Sequence, residues 1–106
     1  MRKLLISSAS AVIVLVLAVA YASAASETVK ADNYDFGPKR VTIEEGDKVV
    51  WRNLEGRHTV TLKNGSFDKT INGDDRVSKK FRESGTFRYY CRFHTLQGMK
   101  GKVVVE

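Results

Sequence analysis

The sequence has few residues that cross-link a chain or bind metals. Its 106 residues include one cysteine, one proline, one tryptophan and two histidines, and one of its two methionines is the initiator. A single cysteine cannot form a disulfide within the chain. The fold must therefore be stable without a disulfide. If the protein works in an oxidising compartment, where free thiols are readily oxidised, this cysteine needs a chemical role.

The chain after residue 24 also lacks an amphipathic helical pattern, an internal repeat and a low-complexity segment. Short alternating runs are separated by Gly, Asn and Asp, including the turn pairs Asn64-Gly65 and Asn72-Gly73. The pattern predicts an all-β, Greek-key β-sandwich of about seven to eight strands. Strands are expected at residues 28–31, 40–43, 48–53, 59–62, 77–82, 85–91 and 99–105, with a turn at 34–38 and with Phe67 and Ile71 closing one end of the core.

Charge is absent from a long N-terminal stretch. A basic start, Met1-Arg2-Lys3, precedes a mostly apolar run of 17 residues from Leu4 to Ala20 and the small residues Ala22-Ser23-Ala24. This order is typical of a secretory signal peptide, residues 1–24, cut after Ala24. An uncleaved membrane anchor is the alternative, since the run is near the short limit for a spanning helix. Cleavage would leave one domain, residues 25–106, as an extracytoplasmic (periplasmic or secreted) monomer.

The formal net charge is +6. Cleavage would lower it by two, but the second half of the chain would stay basic. One interpretation is that this positive charge keeps the strand faces solvated and prevents strand edges from pairing with other chains. The other is that it forms a docking surface for an acidic protein partner. Nucleic acid is not expected as a partner, because the protein is exported and lacks a nucleic-acid motif. The cations concerned are Lys79, Lys80, Arg82, Arg88, Lys100 and Lys102.

The scarce metal-binding residues cluster near the C-terminus. Cys91, His94 and Met99 lie within nine residues, and His58 lies upstream. Two imidazoles and a thiolate form a trigonal plane, and a weakly bound thioether completes a type 1 copper site. Each residue also has a structural alternative, with Cys91 as a small buried hydrophobe and Met99 as core filler. Two histidines and one cysteine can bind zinc as well.

The spacing Cys-x2-His-x4-Met after an upstream His resembles the plastocyanin-type cupredoxins, the small type 1 blue copper proteins. The resemblance extends from about residue 28 to residue 106, and includes residues 85–90 before Cys91 and residues 98–103 after His94. It implies a cupredoxin sandwich with one copper ion at one end. It also implies a soluble one-electron carrier between larger redox protein partners, with no substrate of its own and no enzymatic activity.

The resemblance further implies a role for each ligand. Cys91 is the thiolate, His58 and His94 complete the plane, and Met99 is the axial ligand. His94 is expected to be partly exposed, so that its outer ring edge passes electrons. Thr59 stands where family members often carry Asn, and its hydroxyl can still bond across the site.

Four further residues are candidates for docking or electron transfer. The resemblance implies an apolar collar around His94 formed by Leu54, Leu96 and Phe93. Tyr90 matches a tyrosine through which plastocyanins accept electrons at a second, remote point. An ordinary strand tyrosine is the alternative for Tyr90.

Two rival functions use the same residues. An extracytoplasmic copper carrier or buffer that delivers Cu(I) usually needs open coordination and additional Met or His, whereas this chain has four candidate ligands and no Met-rich segment. A thiol enzyme would use Cys91 and His94 as nucleophile and base, but no Asp or Asn that would orient the base is evident. Multicopper enzymes need further domains and histidines.

Overall fold

The computed structural model describes residues 24–106, so the predicted signal peptide lies outside the described residues except for its last position. Nine strands and one short 3-10 helix, η1, are present in this part of the chain. None of the helices in it is long and apolar enough to cross a membrane. The elements are β1 Ser26–Asp32, β2 Asp35–Gly37, β3 Arg40–Ile43, β4 Lys48–Asn53, β5 Arg57–Leu62, β6 Asp68–Asn72, β7 Arg76–Lys80, β8 Gly85–Tyr90, η1 Thr95–Gln97 and β9 Lys100–Val105.

The strands form two mixed sheets. The first has the order β2-β1-β4-β7 and the second the order β3-β9-β8-β5-β6. The pairs β1–β4 and β3–β9 are parallel, and the other neighbours are antiparallel. The chain passes from one sheet to the other five times, at the connections β2–β3, β3–β4, β4–β5, β6–β7 and β7–β8. The predicted all-β sandwich is confirmed.

The core forms because alternate side chains of a strand point to opposite faces of its sheet. In β4, Val49 and Trp51 are buried, as are Val103 and Val105 in β9. Trp51 meets Tyr89 of β8 edge to face, with ring centroids 5.3 Å apart. Burial raises the pKa of Tyr89 to about 12, opposed by the neighbouring Trp51 indole. These aromatic contacts join the two sheets without a disulfide.

The structure corrects several predicted element boundaries. The predicted turn at 34–38 contains the short strand β2, and the segment between the two Asn-Gly pairs contains β6. Only Ile71 of β6 is buried, so its sequence carries too little alternation to mark a strand. Arg57 and His58 belong to β5 and not to the preceding loop. The five residues from His58 onward are all buried, so β5 shows no alternation at its start.

Asn53, the last residue of β4, fixes the loop that leads to β5. Its side chain is fully buried, and Nδ2 donates to the carbonyl oxygens of Gly56 at 2.7 Å and Gly73 at 3.0 Å. Gly56 has φ of +81°, a left-handed backbone that glycine adopts without strain. The β4–β5 loop is therefore attached both to the end of β4 and to the turn between β6 and β7.

We expect Asn53→Ala to lower the free energy of unfolding by about 1–3 kcal/mol, because the buried Asn53 amide is removed and the carbonyls of Gly56 and Gly73 lose their donor. Chemical denaturation of the metal-free protein measures this. Asn64→Ala is the control, since Asn64 accepts hydrogen bonds from Ser66 in an exposed turn where water can replace it. Equal losses for the two variants would contradict the role given to Asn53.

We also expect Gly101→Ala to destabilise the protein by about 1–3 kcal/mol through overpacking. A Cβ at this position would overlap the phenol of Tyr89 and lie 2.9 Å from the carbonyl oxygen of Lys39. Gly37→Ala is the control, because a Cβ there meets nothing within 4 Å. Thermal unfolding of both variants tests this, and a Gly101→Ala midpoint equal to that of wild type would argue against the close contact.

Candidate metal centre

The four predicted ligands come together at one end of the five-stranded sheet. His58 is the second residue of β5, Cys91 directly follows β8, and Met99 directly precedes β9. His94 lies between Cys91 and Met99 in the chain and occupies the N-cap position of η1. Since β5, β8 and β9 are neighbours in this sheet, the strand order brings the four residues to the same place. His58, Cys91 and Met99 are buried, whereas His94 is partly exposed.

Three of these residues have the spacing that one metal ion requires. One donor atom from each of His58, Cys91 and His94 lies within 4.8 Å of the other two. His58 Nδ1 and Cys91 Sγ are 3.9 Å apart. Metal–nitrogen and metal–sulfur bonds of about 2.0 and 2.3 Å place two donors of a trigonal plane roughly 3.7 Å apart. The arrangement therefore fits a shared copper ion with little movement.

Met99 is held beside the other ligands by backbone hydrogen bonds. The Cys91 N–H donates to the Met99 carbonyl at 3.0 Å, and the Met99 N–H donates to the His94 carbonyl at 3.3 Å. Gly98, which ends η1, has φ of +70°, so the chain can turn sharply before Met99. These bonds close the loop between β8 and β9, and the Met99 side chain lies in the buried core with Cys91.

Backbone carbonyls orient both imidazoles. His58 Nε2 lies 2.7 Å from the Glu55 carbonyl oxygen, and His94 Nε2 lies 3.3 Å from the Arg57 carbonyl oxygen. A carbonyl can only accept, so Nε2 carries a proton in each ring, and in the neutral imidazole Nδ1 is then left with a free lone pair. Metal-binding histidines are commonly held in this way by a partner on the other ring nitrogen. Both rings therefore have the tautomer that binds metal through Nδ1.

The environment of His58 also favours its metal-binding charge state. Burial lowers the pKa of His58, against the opposing hydrogen bond from its ring to the Glu55 carbonyl, and the nearby His94 lowers it further. A lowered pKa keeps the imidazole neutral, which is the form that coordinates a metal. The Thr59 N–H donates to Cys91 Sγ at 3.3 Å, which helps to fix the position of the sulfur in the buried site.

His94 lies beneath an exposed aromatic residue that the sequence did not indicate. The Tyr34 ring packs edge to face on His94 with centroids 4.7 Å apart, and Tyr34 itself is 47% exposed. The sequence predicts only that Tyr34 lies in the turn at 34–38 and does not connect it with His94. The predicted collar residues are also exposed, at 43% for Leu54, 41% for Phe93 and 98% for Leu96.

Two arginines add positive charge to this surface. The guanidinium carbons of Arg57 and Arg92 lie 4.8 and 5.6 Å from the centroid of the Phe93 ring. Cations at these distances are attracted to an aromatic face. The exposed ring of Phe93, next to His94 in the chain, is therefore flanked by two positive charges.

The basic residues named from the sequence lie on both sheets of the sandwich. Arg88 pairs with Lys102, which pairs with Arg40, so these three form a row across the five-stranded sheet. Lys79 and Lys80 belong to β7 of the other sheet. Tyr90, between Thr61 and Lys100 in register, is partly buried. Its electron-transfer role remains a prediction.

Comparison with known proteins gives consistent matches. A family model for copper binding proteins of the plastocyanin/azurin family matches residues 23–106. The chloroplastic plastocyanin of Chlamydomonas reinhardtii is 30% identical over 95% of this chain and 81% of its own length. The chloroplastic plastocyanin of Tetradesmus obliquus is 31% identical over 80% of this chain and 69% of its own length.

A solved structure matches the fold as well. Amicyanin from Paracoccus versutus is 30% identical, with a TM-score of 0.68 over 80% of this chain and 83% of its own. The family match covers every residue of the sandwich described above. This chain therefore belongs to the plastocyanin/azurin family of copper-binding proteins.

Proposed function

We propose that the protein is a soluble one-electron carrier that works outside the cytoplasm. In this proposal His58, Cys91, His94 and Met99 hold one type 1 copper ion. When bound, copper supplies the Cu(II)/Cu(I) couple. The observation that carries the proposal is that both Nε2 atoms are bonded to carbonyls while His58 Nδ1 lies 3.9 Å from the thiol.

The protein's part in electron transfer is to keep its donor atoms in place. His58 is fixed by a strand and by the Glu55 carbonyl, and Cys91 by the backbone bond to Met99. Because a strand and backbone hydrogen bonds set these positions, one arrangement serves both oxidation states and little rearrangement accompanies each transfer. Among the solved amicyanin structures that resemble this chain, there are reduced and oxidised forms.

Electrons would pass through His94, because it is the ligand that reaches the surface. Leu54, Phe93 and Leu96 form the exposed apolar collar. Removal of water from these side chains favours contact with a redox partner. A collar of a few side chains is small, which suits brief complexes and fast release.

The proposed partner is a larger redox protein whose docking surface is acidic. Arg57 and Arg92 place positive charge beside Phe93. Complementary charge increases the rate of encounter more than the final affinity. The extracytoplasmic location rests on the predicted signal peptide at residues 1–24, and we propose that the exported protein is a monomer without enzymatic activity.

Adding Cu(II) to the purified protein should produce an intense blue thiolate-to-copper absorption band. A mild reductant should bleach it reversibly, and Cys91→Ser should abolish it because the thiolate is lost. Gln97→Ala, an exposed change in the same loop, should keep it. A protein without the band would refute the type 1 site, whereas loss of copper on each reduction would favour the copper carrier.

Arg57→Gln should slow electron exchange with an acidic redox protein by roughly two- to fivefold at low salt, and high salt should remove most of the difference. Lys80→Gln on the other sheet removes the same charge and is the control. Stopped-flow kinetics against salt concentration provide the measurement. Equal slowing by both variants would mean that net charge, and not the surface around His94, sets the rate.

A further inference from the structure

The metal centre lies where the neighbouring strands β5 and β8 no longer pair. In the described part of the chain, β5 and β8 pair in register only at Thr61–Tyr90 and Leu62–Tyr89. His58 lies on β5 beyond this point, and Cys91 follows the last paired residue of β8. Some other interaction must therefore set the separation of His58 and Cys91.

Bonds to Thr59 and its side chain cross this gap. The Thr59 N–H donates to Cys91 Sγ at 3.3 Å, and the Arg92 N–H donates to Thr59 Oγ1 at 2.8 Å. Thr59 is completely buried, so water cannot replace these bonds. The bonds to Thr59 therefore hold β5 and the segment after β8 together where strand pairing has ended.

In the bonds that continue from Thr59, donor and acceptor can be assigned because each threonine hydroxyl has a single proton. Thr61 Oγ1 lies 2.7 Å from Asp68 Oδ1, and a carboxylate only accepts, so Thr61 donates its single proton to Asp68. Thr59 must then donate to Thr61 across their 3.0 Å contact, since Thr61 has no second proton. The Thr59 oxygen is left to accept from the Arg92 N–H.

Arg92 closes these bonds into a ring, because its Nε donates to the same Asp68 oxygen at 3.1 Å. Arg92, Thr59, Thr61 and Asp68 therefore form a hydrogen-bond ring. Both of its paths, one through the two threonines and one through Arg92 Nε, end at the Asp68 carboxylate. Chains with a single direction polarise each bond in turn. Hydrogen bonds from Thr61 and Arg92 lower the pKa of Asp68, so the carboxylate is charged at neutral pH.

We propose that Asp68 is a positioning residue for the Cys91 thiolate, acting through this ring. The inference rests on the proposed copper site. Without the carboxylate, the Thr61 proton is free to turn toward Thr59, and the Thr59 oxygen no longer has a fixed direction. The hydrogen bond from the Arg92 N–H to Thr59 Oγ1 is then weaker, and Cys91 Sγ is less well held relative to His58.

A simpler interpretation treats Asp68 only as the exposed ion-pair partner of Arg92, with side chains 48% and 43% exposed. Exposed ion pairs contribute little. That interpretation expects no effect at the metal site from a change at Asp68. The two interpretations therefore differ in a measurable way.

The test uses Asp68→Ala, Asp68→Asn and Thr61→Val. In the metal-free protein, we expect Asp68→Ala to increase the hydrogen-exchange rate of the Arg92 amide by at least roughly fivefold, measured by NMR. In the copper-loaded protein, it should lower Cu(II) affinity about three- to tenfold, less than for a direct partner of a ligand, and should shift the blue band.

The other variants separate the parts of the ring. Asp68→Asn should have a smaller effect, because its amide oxygen still accepts from Thr61. Asp68→Ala combined with Thr61→Val should do less than the sum of the two single changes, since both remove the Thr61–Asp68 bond. Asp68 is exposed, so its variants carry the test even where Thr61→Val does not fold.

Two controls match these changes. Glu83→Ala removes one negative charge beyond the opposite end of β8, and Thr86→Val removes an exposed hydroxyl near that end. If Arg92 exchange and Cu(II) affinity in Asp68→Ala equal those in Glu83→Ala, the inference is overturned. If the wild-type protein forms no blue site, the proposed function fails, and Arg92 exchange in the metal-free protein still decides whether the ring holds this peptide.

Discussion

Both imidazoles of the metal centre depend on the same short stretch of backbone. The Glu55 and Arg57 carbonyls fix which nitrogen of His58 and His94 carries the proton. Asn53 in turn fixes the position of this stretch by donating to Gly56 and to Gly73. The protonation pattern of the site is therefore a property of a loop conformation that one buried amide maintains.

The rest of the molecule holds the site in place with a small core and no disulfide. A domain of this size buries roughly 60% of its unfolded surface, so its stability is modest. The core relies on large aromatic contacts, such as Phe36 with Tyr89 at a centroid distance of 4.9 Å, instead of a disulfide. An ion that binds only the folded state adds stability by mass action. The copper site and the core therefore support each other.

The sequence predicted the sandwich and the candidate ligands because both leave local signals. Cys91, His94 and Met99 are rare residue types at a distinctive spacing, and most strands alternate with period two. The strands β2 and β6 were missed because they are short and largely polar or exposed. The start of β5 was missed because its residues are buried without alternation.

The supporting atoms of the site left no such signal. Every residue has a carbonyl, so nothing in the sequence distinguishes those of Glu55 and Arg57. Asp68 reaches the site only through Thr61 and Thr59, and this connection exists only after β5 and β6 have paired. Tyr34 meets His94 from a turn 60 positions earlier in the chain, a contact that only the folded structure brings about.

The loop between β8 and β9 has a consequence for how such a protein can diverge. Three of the four candidate ligands lie within its span, and its two ends are closed by the backbone bond between Cys91 and Met99. A change in loop length or composition would alter the thioether, one imidazole and the exposed residues Phe93 and Leu96 together, while His58 and the core stay in place. In the proposed electron carrier, changes in this one contiguous segment would therefore alter the reduction potential and the choice of partner together.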